Sequence, residues 1–140
     1  GEANILDLYS GVGSFGIECL SRYLCNVVFV EKDPLASTNL KKNIINLKLS
    51  HRAKIISEDT INYLKKFNYE DKFDLIFLDP PYKDISFLSV IALIKDKKIF
   101  NKNHKVIIHR ERGCEEVFND FFKVDLEKNY GRSKIIFGSF

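Results

Sequence analysis

The chain has 140 residues, 45% of them hydrophobic and 29% charged, with a formal net charge of +3. Residues 1–140 therefore read as one soluble globular domain, and no apolar run reaches the ~18 residues that a membrane-spanning helix needs. The mildly basic balance permits a nucleic-acid partner without demanding one.

The N-terminus carries no signal-peptide pattern. Cys19, Cys25 and Cys114 lack metal-type spacing, which points to reduced thiols and a cytoplasmic setting. The chain starts at Gly1, has no methionine and enters its first apolar run by Ile5. The expectation is a core from which an N-terminal part has been removed.

Ile5-Leu6-Asp7-Leu8-Tyr9 reads as a short apolar strand carrying one acid. Gly11-Val12-Gly13-Ser14-Phe15-Gly16 follows, a G-x-G-x-x-G, and then a helix from about Phe15 to Arg22 with Ile17, Leu20 and Leu24 inward. Asn26 to Val30 is a second strand ending at Glu31. Asp33 caps the next helix, Pro34 fits its first turn, and the helix runs to about Leu47. Lys54 to Ile56 is a third strand, with Asp59 or Thr60 capping a short helix to Phe67.

The fourth strand, Phe73 to Leu78, is apolar enough to lie mid-sheet, and it ends on Asp79-Pro80-Pro81-Tyr82. Ile85 to about Ile94 has helical spacing. Val106 to His109 is the fifth strand, Val117 to Phe122 a short helix, Val124 to Glu127 a sixth strand and Ser133 to Phe140 the last. Alternating strands and helices predict a parallel sheet with right-handed crossovers. The connection from Lys128 to Arg132 is too short for a crossover, so the last two strands should pair antiparallel.

Glycines in the first loop let the backbone turn tightly and approach a ligand closely. Glu31 lies about twenty positions after Gly11, where an acid takes ribose hydroxyls. The loop alone does not separate NAD from another adenosine cofactor. Asp7 shifts the balance, because a carboxylate ahead of the loop repels phosphate and suits the sulfonium and ammonium of S-adenosylmethionine. A buried acid holding loop N–H groups is the reading that stays open beside it.

Pro80 and Pro81 cannot continue a strand ladder, and they stiffen the turn so that Asp79 and Tyr82 are held in place. Ligands bind outside the carboxyl ends of strands in open α/β sheets. Asp79 and the Pro80 carbonyl can accept both N–H bonds of an exocyclic amine and leave its lone pair available. Tyr82 can stack on a base taken out of its helix. His51, His104 and His109 show no ligand spacing, and no metal site is expected. Lys41, Lys42, Lys48, Arg52 and Lys54 read as a solvated helix face before an RNA contact.

Asp7 to Glu18, Val28 to Asp33 and Asp79-Pro80-Pro81-Tyr82 together resemble the RsmD-like 16S rRNA guanine-N2 methyltransferases, over essentially the whole chain. The resemblance implies a Rossmann-like class I methyltransferase fold: a mostly parallel seven-stranded α/β sheet, helices on both faces and an antiparallel last strand. It implies that Glu31 binds the cofactor ribose and that Asp59 lies near the adenine. It also implies an N-terminal segment with a Thr-Arg-Pro motif, which this sequence does not contain.

The expected cofactor set is Asp7, Tyr9, Gly11, Gly13, Glu31, Lys32 and Asp59, for S-adenosyl-L-methionine. The expected catalytic set is Asp79, Pro80, Pro81 and Tyr82. The expected substrate is guanine N2 of 16S rRNA within an assembling bacterial small ribosomal subunit, met by a monomer. The rivals are an adenine-N6 methyltransferase on DNA or RNA, an NAD-dependent oxidoreductase and a non-catalytic RNA-binding domain.

Overall fold

The computed structural model describes residues 2–68, 70–82, 84, 86–118 and 120–140. In chain order the elements are β1 (Ala3–Leu8), α1 (Ser14–Arg22), β2 (Cys25–Val30), α2 (Pro34–Asn46), β3 (Ala53–Ile56), α3 (Thr60–Lys66), β4 (Phe73–Leu78), α4 (Phe87–Lys97), β5 (Phe100–Glu111), β6 (Lys123–Tyr130) and β7 (Ser133–Ser139). The strands form one sheet in the order β3-β2-β1-β4-β5-β7-β6. All pairings among β1 to β5 are parallel, and β7 runs antiparallel between β5 and β6. This is the class I methyltransferase sheet with its reversed strand. The reversal follows from the tight β6–β7 turn at Gly131, whose φ of 53° is reached cheaply only by glycine.

Side chains alternate across each strand, so the sheet divides into two apolar layers. Leu6, Leu8, Ile76, Leu78, Val106 and Ile108 face α3 and α4, packing on Leu64, Ile91 and Ile94. Ile5, Val27 and Phe29 face the other way, onto Leu20 of α1 and Leu40 and Ile44 of α2. The register places Leu8, Val30, Leu78 and Ile108 in one row, so β1, β2 and β4 finish level while β5 runs on past Ile108 to Glu111.

Capping matches the sequence reading. The Asp33 carboxylate accepts the Ala36 N–H with Pro34 in the first turn of α2, and the Asp59 carboxylate accepts the Asn62 N–H at the start of α3. Three local expectations are corrected. Leu24 does not face inward but is 69% exposed, because α1 ends at Arg22 and Tyr23 already has extended backbone. The helix expected over 117–122 is not formed: residues 114–118 carry no regular structure and residues 120 and 121 lie in a turn, while Asn119 is outside the described residues. Glu116 explains the difference, since its buried carboxylate is bound by Arg110 of β5 and Lys134 of β7, which pins this stretch to the sheet. Phe118 and Phe122 still reach the core, against Phe87 and Phe140. The helix expected from Ile85 begins at Phe87, and Ile85 itself lies outside the described residues.

Candidate active site

Leu8 ends β1 fully buried, and the chain must then turn sharply into α1. Tyr9, Gly11 and Gly13 all take positive φ, 59°, 57° and 85°. The Ser10 hydroxyl donates to the Asp7 carbonyl at 2.6 Å, the Ser10 N–H donates to the Val30 carbonyl of β2 at 3.1 Å, and the Ser10 hydroxyl oxygen accepts the Val30 N–H at 3.1 Å. The three glycines serve different ends. A Cβ on Gly13 would lie 2.2 Å from Leu40 Cδ1, and one on Gly16 2.3 Å from Phe29 Cε1, so both are packed against protein. A Cβ on Gly11 would meet nothing within 4 Å, so this position faces open space.

Asp7 lies beneath the loop rather than at its mouth. It is 1% exposed, and its carboxylate accepts the Gly16 N–H at 3.1 Å. Burial pushes its pKa up to about 7 against the pull of the Gly16 amide, and the charges of Asp79 and Glu31 push the same way as burial. The geometry thus places here the loop-holding acid that the sequence left open beside a ligand-facing one.

Glu31 follows directly on β2. Its Oε1 accepts the Gly11 N–H at 2.7 Å and its Oε2 the Asp33 N–H at 2.8 Å. After β4, Asp84 N–H closes the proline turn on the Pro81 carbonyl at 2.9 Å, and the Asp84 carboxylate then accepts Ser86 N–H at 2.8 Å. Tyr82 is left 59% exposed at the rim.

These strand ends enclose a cleft of about 600 Å³ lined by Tyr9, Glu31, Lys32, Asp59, the whole Asp79 to Tyr82 turn and Asp84. Eight of the residues singled out from sequence therefore meet in one place. Asp7, Gly11 and Gly13 are not among the lining residues: Asp7 and Gly13 support the loop, and Gly11 reaches the site through Glu31. The Tyr9 hydroxyl is raised well above its ordinary pKa by burial and by the Asp84 carboxylate beside it.

Sequence reasoning gave no site role to Asp84 and Thr60, which both line the cleft, or to His109. Asp84 two residues before Ser86 is an Asx-turn signal that was available. His109 had none, because its partners come from other strands: Nδ1 lies 2.7 Å from Asp79 Oδ1 and Nε2 2.9 Å from Ser133 Oγ. Among the described residues no cluster of three or more His, Cys, Asp or Glu is arranged to hold a metal ion, and no helix is long and apolar enough to cross a membrane.

The family described as Conserved hypothetical protein 95 matches residues 1–139. The ribosomal RNA small subunit methyltransferase D of Haemophilus influenzae is 32% identical over 112 residues, covering 79% of this chain and 58% of that protein. The protein of the same name from Buchnera aphidicola is 36% identical over 107 residues, covering 76% of this chain and 55% of that protein. The chain thus spans little more than half the length of these curated relatives. A solved structure of a conserved hypothetical protein from Streptococcus pyogenes superposes with a TM-score of 0.89 at 27% identity, over 99% of this chain and 86% of that one.

Proposed function

We propose, from the premise that this chain belongs to the family described as Conserved hypothetical protein 95, the RsmD family, that it methylates the exocyclic N2 of a guanine in 16S rRNA. The observation that carries the reading is the shared cleft: the Asp79-Pro80-Pro81-Tyr82 turn lines the same space as Glu31 and Asp59. Its relatives named ribosomal RNA small subunit methyltransferase D support the substrate class.

The donor set fits S-adenosylmethionine. Among the described lining residues, Glu31, Asp59, Asp79 and Asp84 put four carboxylates around the cleft against the ammonium of Lys32. That charge balance suits a cationic ligand and opposes the pyrophosphate of a dinucleotide. When bound, the cofactor supplies a methyl group activated by its sulfonium. Glu31, held by the Gly11 N–H, would hold the ribose, and Asp59 and Tyr9 would border the adenosine.

The remaining work is positioning and electrostatics. The Asp79 carboxylate and the Pro80 carbonyl each accept one N–H of the guanine amine, which directs its lone pair to the methyl group. Tyr82, exposed at the rim, stacks the base once it has left its helix. The methylated nitrogen is cationic, so it gives up its proton to solvent without a strong base. We read the protein as a monomer acting on rRNA within an assembling subunit.

The test is incubation with labelled S-adenosylmethionine and bacterial small-subunit particles lacking their methylguanines, followed by nucleoside analysis. N2-methylguanosine is the expected product. N6-methyladenosine in its place would move the site to adenine, and binding of NAD alone would overturn the methyltransferase reading.

A further inference from the structure

The parallel register of β4 and β5 pairs Leu78 with Ile108, so the next residues, Asp79 and His109, emerge side by side on one face of the sheet. The antiparallel register of β5 and β7 pairs His109 with Ile135 and Glu111 with Ser133, which puts Ser133 diagonally beside the imidazole. The result is a three-residue chain: Asp79 Oδ1 to His109 Nδ1 at 2.7 Å, and His109 Nε2 to Ser133 Oγ at 2.9 Å. We propose that His109 is the positioning residue of this active site. Its Nδ1–H donates to Asp79 Oδ1, its Nε2 accepts the Ser133 hydroxyl, and the other Asp79 oxygen is thereby turned toward the guanine amine. This inference rests on the methyltransferase reading above.

The physical need for such a brace is specific to this site. Asp79 has a side chain 47% exposed, and its own turn restrains its backbone but not the rotation of its carboxylate. A carboxylate free to rotate would present its acceptor lone pairs to the amine only part of the time. An imidazole fixed at both nitrogens removes that freedom before substrate arrives.

The same three residue types in the same order also occur in hydrolase triads, but there the acid is buried and the serine faces the substrate. Here the polarity is reversed: Asp79 lines the cleft, and Ser133 is not among its described lining residues. Ser133 therefore acts as the brace and Asp79 as the working end.

The experiment compares wild type with His109→Ala, His109→Asn and His109→Gln in single-turnover methylation of the small-subunit substrate, with cofactor affinity and melting temperature measured in parallel. Asn places an N–H donor near the Nδ1 position, whereas Gln places its donor near Nε2, away from Asp79. The Ala and Gln variants should lose the methyl-transfer step by about 10²-fold, the cost of an ångström-scale misplacement, with substrate KM and cofactor affinity unchanged. The Asn variant should recover most of that loss, which a purely structural role would not produce. A long-range nitrogen–proton NMR spectrum of the wild-type protein should place the ring proton of His109 on Nδ1, and Asp79→Ala should abolish that preference. Equal rates in wild type and all three variants, or a proton resident only on Nε2, would overturn the inference and leave the methyltransferase reading intact. A wild-type protein that binds S-adenosylmethionine in no measurable amount would instead sink that reading, and the inference with it.

Discussion

Glu31 Oε1 accepts the backbone N–H of Gly11 at 2.7 Å, so one carboxylate at the end of β2 shapes the loop after β1. The same side chain fixes the start of α2 through Asp33 N–H. Glu31→Ala should weaken S-adenosylhomocysteine binding by about 1–3 kcal/mol, the range for hydrogen bonds to a charged group. Glu31→Gln should fall between, because its single carbonyl oxygen can serve one loop but not both. Calorimetry on the three proteins decides, and unchanged affinity in the alanine variant would remove Glu31 from the cofactor site.

The glycines of the first loop should separate into two classes. Gly16→Ala forces a Cβ into Phe29 and should destabilise the fold by about 1–3 kcal/mol, the usual cost of overpacking. Gly11→Ala meets no protein atom and carries only the left-handed backbone strain of about 1–2 kcal/mol. Its larger effect should be on cofactor affinity, since the Gly11 N–H is bound to Glu31, which lines the cleft. Urea unfolding and ligand titration of both variants test the split; a Gly11→Ala protein that binds cofactor normally would place the ligand elsewhere.

Asp79→Ala should slow methyl transfer by about 10²–10³, the typical loss of one preorganised electrostatic partner, while cofactor affinity stays close to wild type. Asp79→Asn should lose less, because its carbonyl still accepts one hydrogen bond. Tyr82→Ala should weaken engagement of the base by about 1–3 kcal/mol of stacking, and Tyr82→Phe should be mild. Wild-type turnover by Asp79→Ala would reduce the proline turn to a strand terminator.

Asp7 makes stability depend on pH. Its folded pKa of about 7 lies above its ordinary value of 3.8, mainly through burial. Below pH 4 the group is protonated in both states and imposes no penalty. Between pH 4 and 7 the unfolded chain releases this proton while the folded chain keeps it, so stability falls as pH rises. Above pH 7 the penalty is complete, on the order of a few kcal/mol. Asp7→Asn retains an oxygen for the Gly16 N–H and should be more stable than wild type at pH 8 but not at pH 4. Denaturant midpoints at the two pH values check this, and an equal shift at both would exclude a titrating Asp7.

Local rules make much of this protein legible in its sequence. Strand and helix alternation, the caps at Asp33 and Asp59, the turn glycines and the chain-breaking Pro80-Pro81 all act within a few residues of themselves. Hydrophobic periodicity and steric exclusion therefore write them directly into the sequence. The short connection before β7 likewise announced the reversed strand, because a parallel crossover needs more chain than it offers.

What the tertiary structure decided concerns partners distant along the chain. The helix expected over 117–122 was lost because Glu116 is bound by Arg110 and Lys134, two strands that only the sheet brings together. Asp7 became a buried brace rather than a cleft-facing charge because the loop folds over it. His109 gained its place from β-sheet register alone, which sets it beside Asp79, thirty positions earlier, and Ser133, twenty-four positions later. Register is a cooperative property of paired strands and leaves no mark at a single position, so no pattern around His109 could have shown it.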